Sequence, residues 1–245
     1  MQTALLTVAI GLILFLLYGI LPTVFLRMFT IGMVKKGENK QTLALTFDDG
    51  PHPIYTPRVL DLLKKYDVKA TFFVVAEKAV KHHELIKRMH QEGHTVGIHH
   101  YNHTNSWFLT PLATKREIHE SAKIISNLIG VRPSFYRPPY GRFNVFTMWF
   151  AREYSIVLWS AIFQDWKKGQ DSINLNKRLV GRLSDGQIYL LHDDGENSGA
   201  DSDAPEQMIE ALRGFLPYLR SNGFRGVSLE EHLNIHATKE QKRSV

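Results

Sequence analysis

Thr46-Phe47-Asp48-Asp49-Gly50-Pro51 sets two adjacent carboxylates immediately before a Gly-Pro turn. On an extended strand, neighbouring side chains point to opposite faces, so such a pair cannot share a task. At a turn the alternation breaks, and both carboxylates can face one rim. One then holds a metal while the other acts as a base on water. Taken alone, the motif is equally well a solvated turn. His99-His100-Tyr101-Asn102-His103 offers imidazoles at i and i+4, which share a face if the segment coils into a helical turn. Two histidines and one carboxylate make an open metal site with positions left for water and substrate, and Asp49 is the candidate third ligand. A metal so held lowers the pKa of its water to about 7 in favourable cases and polarises a carbonyl.

Three further segments add polar groups. Arg137-Pro138-Pro139-Tyr140-Gly141 is a rigid strand exit with a permanently charged fork that can fix one carboxylate of the Asp pair. The backbone N–H near Tyr140 is a candidate oxyanion donor. His192 closes Leu190-Leu191-His192, and an imidazole there suits proton donation near neutral pH. Asp165 is its candidate carboxylate partner, with Trp166 as an apolar wall. His100 stays open between ligand and brace. His52, His82, His83, His90, His94, His119, His232 and His236 read as surface or core histidines.

These residues need a scaffold that gathers them. Strand-like runs at Leu43–Phe47, Ala70–Ala76, Thr95–His99, Ser134–Arg137, Ser155–Ser160, Gln187–His192 and Gly226–Leu229 alternate with helical patterns. The helices are expected at Pro57–Tyr66, Glu77–Glu92, Pro111–Ile129, Val145–Glu153, Ile173–Leu183 and Pro205–Asn222. Such alternation predicts a parallel sheet with helices outside it, and seven repeats favour a barrel related to the (β/α)₈ fold over an open sheet. Barrel chemistry sits at the C-terminal ends of the strands. Asp48, Asp49, His99, Arg137 and His192 all fall at such ends, with Asp165 just beyond another.

The chain has 245 residues, 44% of them hydrophobic and 22% charged, proportions that exclude a disordered or collagen-like chain. With no Cys, thiolate metal sites, Cys nucleophiles and disulfides are excluded. A net charge of +6 without clustering does not point to nucleic acid. From Ala4 to Leu26 there is no charged residue, long enough to cross a bilayer as a helix. Met1-Gln2-Thr3 lacks the basic start of a signal peptide, so an uncleaved single-pass anchor is the reading. Arg27, Lys35, Lys36 and Lys40 follow the span, and the positive-inside rule would keep that side cytoplasmic. The expected organisation is an anchor over 1–30, a short basic linker over 31–40, a catalytic domain over 41–233 and a polar, basic tail over 234–245.

In this order the motifs resemble those of the polysaccharide deacetylases of the NodB-homology family (carbohydrate esterase family 4), over roughly Gln41 to His232. Thr46–Pro51 matches that family's T-F-D-D-G-P residue for residue. His99 and His103 match the histidines of its H-(S/T)-x-x-H, and Arg137, Pro139 and Tyr140 match its R-x-P-(Y/F). The resemblance implies a distorted (β/α)7-type barrel and a metal-dependent hydrolase that removes acetyl groups from N-acetylated sugars in peptidoglycan or a chitin-like polymer. It implies one divalent ion on Asp49, His99 and His103, zinc foremost, with cobalt or another divalent ion as alternatives. Asp48 becomes general base, Arg137 its anchor, Tyr140 an oxyanion donor and His192 general acid, with Asp165 beside it. Pro139, Trp166 and Leu190 are expected to line the substrate pocket.

The chain departs from the family at three places. His100 replaces the Ser/Thr of the second motif. Ile162 replaces the first Asp of D-x-x-D-W, leaving Asp165 as the local carboxylate. Tyr189-Leu190-Leu191-His192 replaces L-x-I-H, which changes the apolar lining but keeps the histidine. The expected partners are the glycan and, through the N-terminal helix, a membrane, with the catalytic domain on the extracytoplasmic side against the positive-inside rule. No nucleic acid and no obligate protein partner are indicated. The rival reading is a membrane-tethered glycan-binding homologue with impaired catalysis, which Ile162 favours. A metal phosphoesterase lacks a second set of ligands and a phosphate-cradling loop.

Overall fold

In the computed structural model, which describes residues 1–169, 171–196 and 200–235, a parallel sheet curls around an apolar centre with helices outside it. His236 and the tail from 236 onward lie outside the described residues. The N-terminal helix runs α1 (Gln2–Phe15), a π turn (Leu16–Ile20) and α2 (Leu21–Phe29). The sheet consists of β1 (Met33–Val34), β2 (Thr42–Asp48), β3 (Thr71–Val74), β4 (Thr95–Ile98), β5 (Phe135–Tyr136), β6 (Ser155–Val157), β7 (Ala161–Ile162), β8 (Gln187–His192) and β9 (Arg225–Gly226). The helices between them are α3 (Tyr55–Lys65), α4 (Ala76–Lys81), α5 (His83–Gln91), α6 (Pro111–Ile129), α7 (Thr147–Phe150), α8 (Ser172–Gly181), α9 (Ala204–Ser221) and α10 (Leu229–His232).

The strand order is β1-β6-β5-β4-β3-β2-β8-β7, with β9 also on β2, and every paired strand is parallel. The segment joining β6 to β7 draws the two ends together. Leu158 N donates to Val34 O on one side, and Ser160 N donates to Ile188 O on the other. The sheet therefore curls into a distorted barrel. β2 is buried along its whole length, as a central parallel strand covered on both faces must be.

Local signals account for the helices that matter. Thr110 caps α6 by accepting from Ala113 N (3.3 Å), Pro111 takes the first turn, and Gly130 ends it in a left-handed conformation (φ 74°). The helix expected over 77–92 breaks at His82 (φ −123°, ψ 44°) into α4 and α5. The one expected over 145–153 shrinks to α7, a single turn.

The stretch 31–40, read from sequence as a linker, is built into the sheet. Met33 and Val34 register with Ile156 and Val157, Lys36 bridges Gln187, and Gly37 N donates to Gly186 O (2.8 Å). A two-residue strand has no periodicity to detect, so only its long-range partners reveal it.

The N-terminal helix is also part of the domain from its middle onward. Residues 1–14 are exposed, whereas Gly19 and Thr23 are buried. Thr23 Oγ1 accepts from Phe143 N (2.9 Å) and from Trp107 Nε1 (2.8 Å), and it lies 2.8 Å from Phe143 O as a donor. Thr23→Val keeps the shape but leaves both N–H groups without their acceptor, at about 1–3 kcal/mol each. Thermal unfolding of the detergent-solubilised protein should show a clear drop in midpoint for Thr23→Val. An unchanged midpoint would mean that the helix does not dock through this residue.

Candidate active site

Because the strands are parallel, their C-terminal ends share one rim, and the register decides which side chains meet there. Asp48 pairs with His192 across β2 and β8, and Ile98 pairs with Tyr136 across β4 and β5. The residues that follow, His99 and Arg137, are thereby adjacent. Asp49 takes a left-handed conformation (φ 78°), which breaks the strand alternation as the turn chemistry required. Gly50 is needed next, since a Cβ there would lie 2.4 Å from Asp193 Oδ1.

His99 Nε2 and His103 Nε2 lie 3.3 and 3.0 Å from Asp49 Oδ1. The helical turn expected to bring the histidines together is absent. Residues 99–105 form a loop in which His100 (φ 66°) and His103 (φ 56°) are left-handed, and this folding-back sets the two rings 5.1 Å apart. His100 is a brace. Its Nδ1 donates to Thr104 O (2.8 Å), and its Nε2 accepts from the Tyr136 hydroxyl (2.7 Å). Burial, with the neighbouring His99, lowers its pKa to about 3, so the ring stays neutral.

The three donor atoms of Asp49, His99 and His103 fall within 4.8 Å of one another. His99 Nδ1 lies 2.8 Å from Arg137 O, which can only accept, so the neutral ring carries its lone pair on Nε2. That lone pair faces the Asp49 carboxylate, whose Oδ1 is buried without a hydrogen-bond donor. Lone pair against anion is unfavourable unless a cation lies between them. The donor set therefore fits a divalent metal ion with nitrogen and oxygen ligands.

Beside this triad, Arg137 is fully buried and holds Asp48. Its Nη1 donates to Asp48 Oδ1 (2.6 Å) and Thr46 Oγ1 (2.8 Å), and Nε and Nη2 donate to Val157 O and Leu158 O (2.9 Å each). Asp48 Oδ2 stays 3.8 Å from His99 Nε2, and Asp48 lines the cavity. Across the rim, Asp165 accepts from His192 N (2.7 Å) and lies 3.1 Å from His192 Nδ1. Burial alone would lower the His192 pKa, but the Asp165 carboxylate, helped by Asp49 and Asp48, raises it to about 9. The Trp166 ring packs edge-on to His192 at 4.8 Å.

A cavity of about 330 Å³ joins these groups, lined by Asp48, Asp49, His99, His103 and His192 together with Tyr140, Trp166 and Leu190. Tyr140 is left-handed (φ 60°), with its ring 4.9 Å from His103. Pro139, expected in the pocket, is buried and does not line the cavity; it fixes the turn that presents Tyr140. Sequence reasoning missed Arg27, Trp159 and Ala200 in the lining. Arg27 comes from the N-terminal helix and stands over the Trp159 ring at 5.4 Å. Its place just after an apolar run drew attention only as a topology signal. Ile162 also lines the cavity. Of the histidines set aside, His52, His94 and His232 are buried and structural, with His52 Nδ1 accepting from Ile54 N (3.1 Å). His94 Nδ1 accepts from Ala70 N, and His232 is held by Thr42 and Gly186.

The sequence profile described as "Polysaccharide deacetylase" matches residues 35–159. The chain belongs to the polysaccharide deacetylases. A Bacillus cereus relative named peptidoglycan-N-acetylglucosamine deacetylase is 36% identical over 195 residues, covering 78% of this chain and 68% of its own. The Bacillus subtilis peptidoglycan-N-acetylmuramic acid deacetylase PdaC is 36% identical over 177 residues, 71% of this chain but only 36% of that longer protein. Among solved structures, the Bc1960 peptidoglycan N-acetylglucosamine deacetylase superposes with a TM-score of 0.77 at 33% identity, covering 86% of this chain and 96% of that one. The curled parallel (β/α) barrel is thus the fold of this family of hydrolases.

Proposed function

We propose that the protein hydrolyses the acetamido group of N-acetylated sugars in peptidoglycan, releasing acetate, with one divalent ion on Asp49, His99 and His103. The observation that carries this reading is the juxtaposition, in one cavity, of an Arg137-fixed Asp48, an Asp165-held His192 and the Asp49–His99–His103 donor set. A bound divalent ion, zinc foremost, supplies Lewis acidity at the acetamide carbonyl and acidifies the attacking water.

Asp48 takes a proton from that water on its Oδ2 side while Arg137 keeps the other oxygen in place. The backbone N–H of Tyr140 donates to the oxyanion of the tetrahedral intermediate. His192, oriented through Nδ1 by Asp165, gives the proton at Nε2 to the departing sugar amine. Trp166 and Leu190 form the apolar wall against the acetyl methyl. Ile162 favours the impaired glycan-binding reading, but a protein that only binds needs neither the Asp48–Arg137 pair nor the Asp165–His192 pair. The working organisation is an anchor over 1–30 and a catalytic domain beyond it on the extracytoplasmic face.

The sugar assignment rests on N-acetylglucosamine, the sugar named for relatives matched at 36% and 35% identity, although an N-acetylmuramic acid deacetylase of Bacillus subtilis matches at 34% over 74% of its own length. Peptidoglycan treated with the enzyme, cut by a muramidase and weighed by mass spectrometry should carry free amines on glucosamine. Free amines confined to muramic acid would overturn the sugar assignment, and none at all would overturn the deacetylase reading.

A further inference from the structure

We propose that the rim of the catalytic domain around Phe108, Leu112, Val145 and Trp149 is seated in lipid, so that the catalytic cavity opens at the bilayer surface. This rests on reading the N-terminal helix as a membrane anchor, and it adds a second membrane contact, made by the catalytic domain itself. The uncharged run Ala4–Leu26 rises roughly 35 Å at about 1.5 Å per residue, close to the hydrocarbon thickness of about 30 Å. A helix that spends this run on crossing the bilayer has its second half in lipid as well as its first.

That second half carries the domain. Phe15 stacks on Phe108 at 5.6 Å, Val145 N donates to Tyr18 O at 3.1 Å, and Thr23 is bonded to Phe143 and Trp107. Whatever the domain presents at these heights therefore meets lipid too, and it presents four large exposed apolar side chains. Leu112 is 79% exposed, Phe108 72%, Trp149 64% and Val145 50%. Side chains of this size, gathered beside a membrane helix, cost free energy in water and gain it in hydrocarbon.

Two neighbours fit the same placement. An apolar groove of about 620 Å³ runs between α2 and α7, lined by Leu21, Phe25, Val145 and Met148, and is open to an acyl chain. Arg152 stands over Trp149 at 4.7 Å, a cationic and aromatic pair of the kind that sits at the headgroup level. Arg27, the first charge after the run, lies in the catalytic cavity. Lipid is the occupant that continuity with the helix selects; a second copy of the chain on the same face is the competing outcome.

The test uses the full-length protein in nanodiscs of phosphatidylglycerol and phosphatidylethanolamine whose acyl chains are brominated either near the carbonyl or near the terminus. The emission contributed by Trp149, read as wild type minus Trp149→Phe, should be largely lost with bromine near the carbonyl and less so with bromine near the terminus. Emission from Trp149 that is indifferent to bromine at both depths would overturn the proposal. So would an unquenched Trp149 with cross-linking between two chains in one disc. Extraction of wild type by alkaline carbonate would instead overturn the anchor reading; retention of the protein with Trp149 unquenched would overturn the lipid seat alone.

Discussion

Replacing Asp48 by Asn should abolish turnover while zinc stays bound. Asn cannot take a proton from water, and the loss of a general base is worth about 10²–10⁴-fold in rate. The three candidate ligands, Asp49, His99 and His103, are untouched by the change. The variant should also be less stable. Arg137 is fully buried and Asp48 is its ion-pair partner, so an unpaired guanidinium costs up to about 3–5 kcal/mol. Metal analysis, acetate release and thermal unfolding on one preparation separate these effects. Full activity in a zinc-loaded, folded variant would remove Asp48 from the role of base.

His192→Ala should lower kcat by about 10²–10⁴-fold on an amide substrate. The loss should be far smaller on an aryl acetate, whose phenolate departs without a proton. An equal loss on both substrates would mean that His192 is not the acid. The pH profile gives a second readout. An acid must be protonated to act, so activity falls as pH rises through the His192 pKa, which stands at about 9 with Asp165 in contact. Asp165→Asn removes the nearest charge that raises it, and the alkaline limb should move to lower pH. A limb that stays put would break the link between Asp165 and the acid.

The convergence of the candidate site residues was legible in the sequence because each sits next to a strand end, and parallel strands put such ends on one rim. Asp48, Asp49, His99, Arg137 and His192 are cases of that rule. The means of convergence were less legible. His99 and His103 meet through two left-handed residues rather than a helical turn, and nothing about the spelling H-H-Y-N-H distinguishes the two. His100 was open between ligand and brace because its partners, Tyr136 and Thr104, are set by the fold and the loop. β1 and the docking of Thr23 depend on partners more than eighty residues away, so no local pattern marks them. The same holds for Arg27 and Trp159 in the cavity.

These contacts bear on how the protein is handled. A chain cut at residue 31, as the linker reading would suggest, loses Thr23 and Arg27 from the rim, so assays belong on the full chain. The most direct test is acetate release from purified peptidoglycan by the full-length protein, with zinc and after EDTA. The account predicts acetate with zinc, none after EDTA, and recovery when zinc is returned. No acetate from protein with zinc stoichiometrically bound would contradict it and make Ile162 the first position to change to Asp.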